Sequence, residues 1–254
     1  MGIGYAKSRE ALDRIKRHRK NCLIIHYACQ SLFDDKEGHS PRIANIVVAD
    51  YENNQTASFA IHMMAEKSGV AKADIGANFD KVERLLLEEF YEFVRNHPGN
   101  IWVHWNMKNL VFGFEVLAHR YGVLTGKNAP SVDIDNRINL AELLIGRYGE
   151  GYADVPHIPK LMELNGGIRR DFVPGKEEVD LFDREEFSRL HSSTVSKVSF
   201  FRDVMDLVID NKLKVKTLRI YDKIDRGLDH VAAKIIGVLA SLYTIIDLAL
   251  KALH

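Results

Sequence analysis

The chain has almost no cysteine: 254 residues carry only Cys22 and Cys29. They stand an odd number of positions apart in a strand-like run, so their side chains leave opposite faces and a disulfide between them is not expected. Two ordinary thiols in a reducing compartment, and hence a cytoplasmic setting, is the plain reading. Net charge is missing as well. Thirty-five basic and 35 acidic residues cancel, which argues against a protein that coats nucleic acid indiscriminately while leaving room for a local basic patch. The opening "MGIGYAKSREALDRIKRHRK" lacks an apolar stretch, so no secretory signal peptide is expected, and Met1-Gly2 lacks the Ser or Thr that completes a myristoylation start. Internal repeats and low-complexity tracts are also missing. What is present is a 46% share of apolar residues, enough to bury the core of one large α/β domain, alone or with an appendage.

Periodicity divides the chain. Residues 1–21 read as a basic N-terminal helix, with Arg14, Arg17 and Lys20 close together. A solvated face is the simpler account of that cluster, and a phosphate contact is the functional one. "CLIIHYACQSLF", "RIANIVVADY" and "QTASFAIHMM" are β-compatible runs separated by turn chemistry, which predicts a three-strand antiparallel meander. Residues 65–77 read as a loop. Asp80 and Glu83 form a candidate capping box for a helix reaching Asn96, with Val82, Leu86, Phe90 and Val94 inward. "NIWVHW" predicts a fourth strand, followed by a helix that opens near Asn109. "PSVDID" predicts a short fifth strand, then helices over 138–148 and 156–164, a charged irregular stretch over 169–190 with one short helix, and a helix from His191 to Asp210. A meander followed by alternating strands and helices predicts a mixed sheet flanked by helices over residues 22–211.

Three local patterns within this order resemble the DEDD-type 3′–5′ exonucleases, a superfamily with the ribonuclease H-like fold. That family places Asp-x-Glu-Thr on its first strand. It places His-Asn-x-x-Phe-Asp at the fourth strand and the helix after it. A His five residues before an Asp opens its last helix. The first pattern falls on Tyr27-Ala28-Cys29-Gln30-Ser31, the second on His104-Trp-Asn-Met-Lys-Asn109, and the third on "HSSTVSKV", preceded by the helix and Gly turn of "HIPKLMELNGGI". His104 and His191 match. Ala28, Gln30, Asn109 and Ser196 stand where the resemblance calls for carboxylates.

The resemblance implies two divalent metals, one generating hydroxide and both stabilising charge on the scissile phosphate, with a His as general base. Mg²⁺ or Mn²⁺ needs hard anionic oxygens. Ala28 offers no ligand, Gln30 and Asn109 offer neutral carbonyls, and Ser196 a hydroxyl, so no metal and no cofactor is expected at the aligned positions. Asp133 or Asp135 restoring an acid is the rival account. His26, Gln30, His104, Asn106, Asn109, His191 and Ser196 would then form a neutral polar cleft. Arg14, Arg17, Lys20, Gln30, Asn106, Asn109 and His191 are the nucleic-acid contacts this reading names. Zn²⁺ on three histidines is a further option, and Tyr27, Trp102 and Trp105 could stack on bases or simply be core.

Residues 212–227 read as a linker. Over 228–254 Val231, Ile235, Val238, Leu242, Ile245 and Ala249 repeat at spacings of four and three, a seam that must be buried against its own domain, a second copy of the chain or a partner. Membrane insertion is the rival: Val231 to Leu250 is about 20 residues, near the minimum for a span, but Lys234 and Asp247 fall inside it. Together these features predict a catalytically degenerate, exonuclease-like protein that binds nucleic acid or a partner protein. The alternatives are an active Mg²⁺- or Mn²⁺-dependent nuclease whose acids lie elsewhere in the chain, and a structural subunit with an empty cleft.

Overall fold

The computed structural model describes residues 4–31, 41–53, 55–108 and 112–218. Asn109 and the helix expected over 228–254 lie outside the described residues. A five-stranded mixed sheet organises the chain: β1 (Cys22–Cys29), β2 (Ile43–Asp50), β3 (Thr56–Ala60), β4 (Ile101–His104) and β5 (Arg137–Asn139), in spatial order β3-β2-β1-β4-β5. β1, β2 and β3 pair antiparallel, as the meander predicts, whereas β4 and β5 run parallel to β1. Eight α-helices accompany the sheet among the described residues: α1 (Tyr5–Arg17), α2 (Ile61–Lys67), α3 (Phe79–Arg95), α4 (Phe114–Thr125), α5 (Leu140–Tyr148), α6 (His157–Leu164), α7 (Gly175–Asp183) and α8 (Phe187–Ile209).

Alternation along β1 makes two cores. Leu23, Ile25 and Tyr27 leave one face and pack with Val82, Leu86 and Phe90 of α3, Leu117 of α4 and Met64 of α2. Cys22 and Ile24 leave the other and pack with Ile15 of α1, Leu143 and Leu144 of α5, and Phe201, Val204 and Met205 of α8. Strands covered on both faces must be apolar at nearly every position. "CLIIHYA" and "IANIVVA" meet that demand, and every one of their residues is buried.

Several elements differ from expectation. The third strand stops at Ala60, and Ile61–Lys67 is helix; Ile61, Met64 and Ala65 recur at helical spacing and bury together, which outweighs the β-like look of "AIHMM". Within 65–77, beyond α2, two 3-10 turns replace the loop. Asp80 and Glu83 do not cap α3, whose N-cap is Asn78. Glu83 instead points inward, accepts from the Ile43 N–H at 2.7 Å and pairs with Arg120 of α4. "PSVDID" is not the fifth strand: Asp133 accepts from the Asp135 N–H and folds 134–136 into a 3-10 turn, which moves the strand to Arg137–Asn139. The stretch 169–190 does contain the one short helix expected, α7, but the last helix starts at Phe187, before His191.

The ends of the chain's described part are docked, not appended. Leu12 and Ile15 of α1 are buried in the second core. After α8, Leu213 is buried, Lys216 donates its N–H to the Tyr152 carbonyl and Thr217 donates to the Gly151 carbonyl, so the start of the expected linker is part of the domain. Among the described residues no helix is long and apolar enough to cross a membrane.

Candidate functional site

β4 ends at His104 beside Ile25 while β1 runs on to Cys29, and where the two strands part the chain leaves a cleft of about 490 Å³. Its floor is the run His26 to Ser31 at the end of β1, together with Trp105 and Asn106 just after β4. Its walls are the starts of α6 and α7, the approach segment at Phe172, and Lys197 from the middle of α8. Open α/β sheets bind ligands beyond the carboxyl ends of parallel strands, for the plain reason that helices cover both faces and leave that edge free.

Ala28 and Gln30, the first pair singled out by the sequence, both line this cleft. Ala28 is buried, and Gln30 is exposed with its backbone N–H donated to the Arg42 carbonyl. Asn106 lines it too, with φ +55°. It exchanges hydrogen bonds with Asn139: its N–H donates to Asn139 Oδ1 at 3.1 Å, and its Oδ1 accepts from Asn139 Nδ2 at 3.2 Å. That reciprocal amide pair ties the end of β4 to the N-cap of α5.

The two histidines matching the family pattern lie elsewhere. His104 is buried beside Phe114, and its Nδ1 accepts from the Met107 N–H at 3.1 Å. Burial first, then the Arg137 guanidinium, push its pKa down to about 3, so it is a neutral acceptor that shapes the turn after β4. His191 sits one and a half turns before Lys197 on α8, which carries it to β3, where its Nε2 meets Ser58 Oγ at 2.9 Å and its ring faces His62 at 5.3 Å. Burial and His62 push its pKa down to about 4. Ser196 is likewise no part of the cleft lining; its Oγ is buried without a hydrogen-bond partner. The basic cluster is also displaced. Arg14 donates to the Asp135 carbonyl and to Asn136, and Arg17 donates to the Asp13 carbonyl, at the edge of the sheet where β1 begins. β1 carries the chain roughly 23 Å from there to the cleft at about 3.3 Å per residue, so Arg14, Arg17 and Lys20 cannot share a contact with Gln30 and Asn106.

Two residues that the sequence reading passed over dominate the site. Lys197 is almost wholly buried, and its Nζ lies 2.5 Å from Oε2 of Glu178 on α7. Ser193, one turn earlier on α8, donates to Glu178 Oε1 at 2.8 Å and accepts from the Val173 N–H at 3.1 Å. The ammonium also lies 5.5 Å from the Phe172 ring centre. A signal existed in the sequence: Lys197 interrupts the apolar stripe of α8 beside Val198 and one turn before Phe201, and a lysine in that position needs a buried counter-charge. Glu178 alone, in "GKEEVD", reads as an ordinary first-turn acid.

His26 completes the site. It is 7% exposed, lies edge-on to Phe112 and to Phe201 at 5.7 and 5.5 Å, and its Nδ1 has no hydrogen-bond partner. Burial, then Lys197, then His104 hold its pKa well below the usual 6.5. Tyr27 stacks on Phe112 at 4.2 Å, and its hydroxyl accepts from the Gly113 N–H at 3.0 Å. Cys29 also lines the cleft, but burial and the charge of Glu178 push its thiol up to about 12, far from a thiolate nucleophile.

The donors present do not suit two divalent cations. Ala28 has no ligand atom, Gln30 is neutral, and Glu178, the one carboxylate among the described residues of the lining, is already paired with a lysine. Among the described residues no group of three or more His, Cys, Asp or Glu is placed to hold a metal ion, which covers the trio His26, His104 and His191 as well. The chain matches no family model, no curated protein and no solved structure.

Proposed function

We propose that the chain is a catalytically degenerate protein of the ribonuclease H-like fold, akin to the DEDD-type exonucleases, that binds the end of a single nucleic-acid strand without cleaving it. One observation carries this reading. Ala28 and Gln30, the positions aligned with the family's first acidic pair, line a cleft at the carboxyl ends of the central parallel strands, and the one carboxylate among its described lining residues, Glu178, is paired with Lys197. The sheet order β3-β2-β1-β4-β5, with an antiparallel meander joined to parallel strands, supports the fold assignment. Neutral amides at Gln30 and Asn106 and the half-buried rings of Phe112 and Phe172 suit an unpaired base, whereas a cleft with no unpaired carboxylate among its described lining residues lacks ligands for a water-activating metal.

The test is a pair of assays on the full chain. Anisotropy of fluorescent single-stranded DNA and RNA should report saturable binding. Incubation with Mg²⁺ or Mn²⁺ should leave the strands intact on a denaturing gel. Metal-dependent shortening would establish an active nuclease instead, and no binding at low salt would leave a structural or protein-binding subunit. Association through residues 228–254 is part of the same proposal, and a fall from an oligomer's mass to that of a single shortened chain by light scattering after deleting them is the expected sign.

A further inference from the structure

We infer that the cleft is a subsite for one unpaired nucleobase, recognised through its hydrogen-bonding edge by His26 and the Lys197–Glu178 pair and not through its phosphate. This deepens the strand-end reading and rests on it. The first support is His26. A ring nitrogen that is buried and unpartnered leaves a hydrogen bond unmade, and this one belongs to a residue lining an open cleft. A ligand that reaches it supplies the missing partner.

The second support is charge. Lys197 is the only cation in the described lining and Glu178 the only anion, and they neutralise each other. A phosphate entering here would bring negative charge beside Glu178 with no spare cation to meet it. A base edge is neutral and carries donors and acceptors side by side, which matches an ammonium donor next to a carboxylate acceptor. The third support is shape. Phe112 and Phe172, both only half-buried, give the lining apolar surface, and about 490 Å³ is room for a base with its sugar.

A base can arrive as a free nucleoside or as the last residue of a strand, and the experiment separates them. Adenosine, guanosine, cytidine and uridine are titrated into the full chain by calorimetry. Single strands are compared with the same strands bearing an abasic terminal residue, at two salt concentrations. At least one nucleoside should bind saturably. Methylation on its pairing edge, as in N3-methyluridine or N1-methylguanosine, should weaken it at least tenfold on the unaltered protein, so no variant need fold. An abasic end should weaken a strand similarly, and the salt dependence should be shallow, since few phosphates are neutralised. His26→Phe, which keeps a ring and removes both nitrogens, should lose the preference for unmethylated bases. If strands bind with a steep salt dependence regardless of an abasic end, and no nucleoside binds, the base subsite is overturned while strand binding stands. Nucleosides that bind where strands do not support the subsite and overturn the strand-end reading. If neither binds, both fall.

Discussion

Arg120 grips Glu83 with two bonds, Nη2 to Oε2 at 2.6 Å and Nε to Oε1 at 2.9 Å, and the Glu83 side chain has no solvent exposure at all. The same carboxylate accepts from the Ile43 N–H. One buried acid therefore joins α3, α4 and the first residue of β2. Replacing Arg120 by Met would leave that acid buried without its counter-charge, and such losses cost about 3–5 kcal/mol. Urea denaturation of Arg120→Met should show a loss of that size, with most of it recovered by adding Glu83→Leu; a change below about 1 kcal/mol would mean water reaches the pair.

The Lys197–Glu178 pair should behave differently, because both of its members line the proposed ligand site. Lys197→Met should destabilise the chain by roughly 3 kcal/mol, since Glu178 stays behind with only Ser193. Lys197→Met with Glu178→Leu should restore stability and yet fail to restore ligand binding. Binding that returns together with stability would give the pair a purely structural role.

Acid should unfold this chain through its histidines. His26, His104 and His191 all have folded pKa values lowered from 6.5, the last two to about 3 and about 4. A histidine kept neutral by folding contributes stability that is complete above pH 6.5 and is lost as pH falls toward the folded value, because the unfolded chain binds the proton more readily. Each fully linked histidine adds about 1.4 kcal/mol per pH unit to that slope. Denaturation at pH 7, 6, 5 and 4 should show the loss, and His104→Asn, which keeps an acceptor for the Met107 N–H, should reduce the slope by one proton. An unchanged slope would mean His104 titrates normally.

Arg17 and Lys20 offer a control for the position of the site. They lie at the opposite end of β1 from the cleft, so Arg17→Ala with Lys20→Ala should leave affinity for a short strand within about twofold by anisotropy. A tenfold loss would move the binding surface to the α1 edge.

The sequence made the framework legible where burial dictates composition. β1 and β2 are buried along nearly their whole length, and their runs are apolar apart from His26 and Asn45. The order of strands and helices followed from periodicity. "AIHMM" misled because Ile, Met and Ala serve either structure, and its helical form comes from packing of α2 on α3. The candidate site was half legible. Ala28, Gln30 and Asn106 could be placed by motif, since a motif travels with its strand. His26 shares the run of Ala28 and Gln30 and is placed with them, whereas Lys197 and Glu178 come from two helices that only the fold brings to that strand. His191 lies one turn into α8, where its ring meets Ser58 of β3 and does not line the cleft, a placement no local motif encodes.

β5 is only three residues long and forms one border of the sheet. Its Arg137 is already occupied by the Val132 carbonyl, by Glu115 and by the Phe114 ring. So short a border gives an incoming strand almost no ladder to extend, which is how native sheets resist fibrous growth. On this side the molecule can be approached by another protein through helices or loops, and scarcely at all by adding a strand.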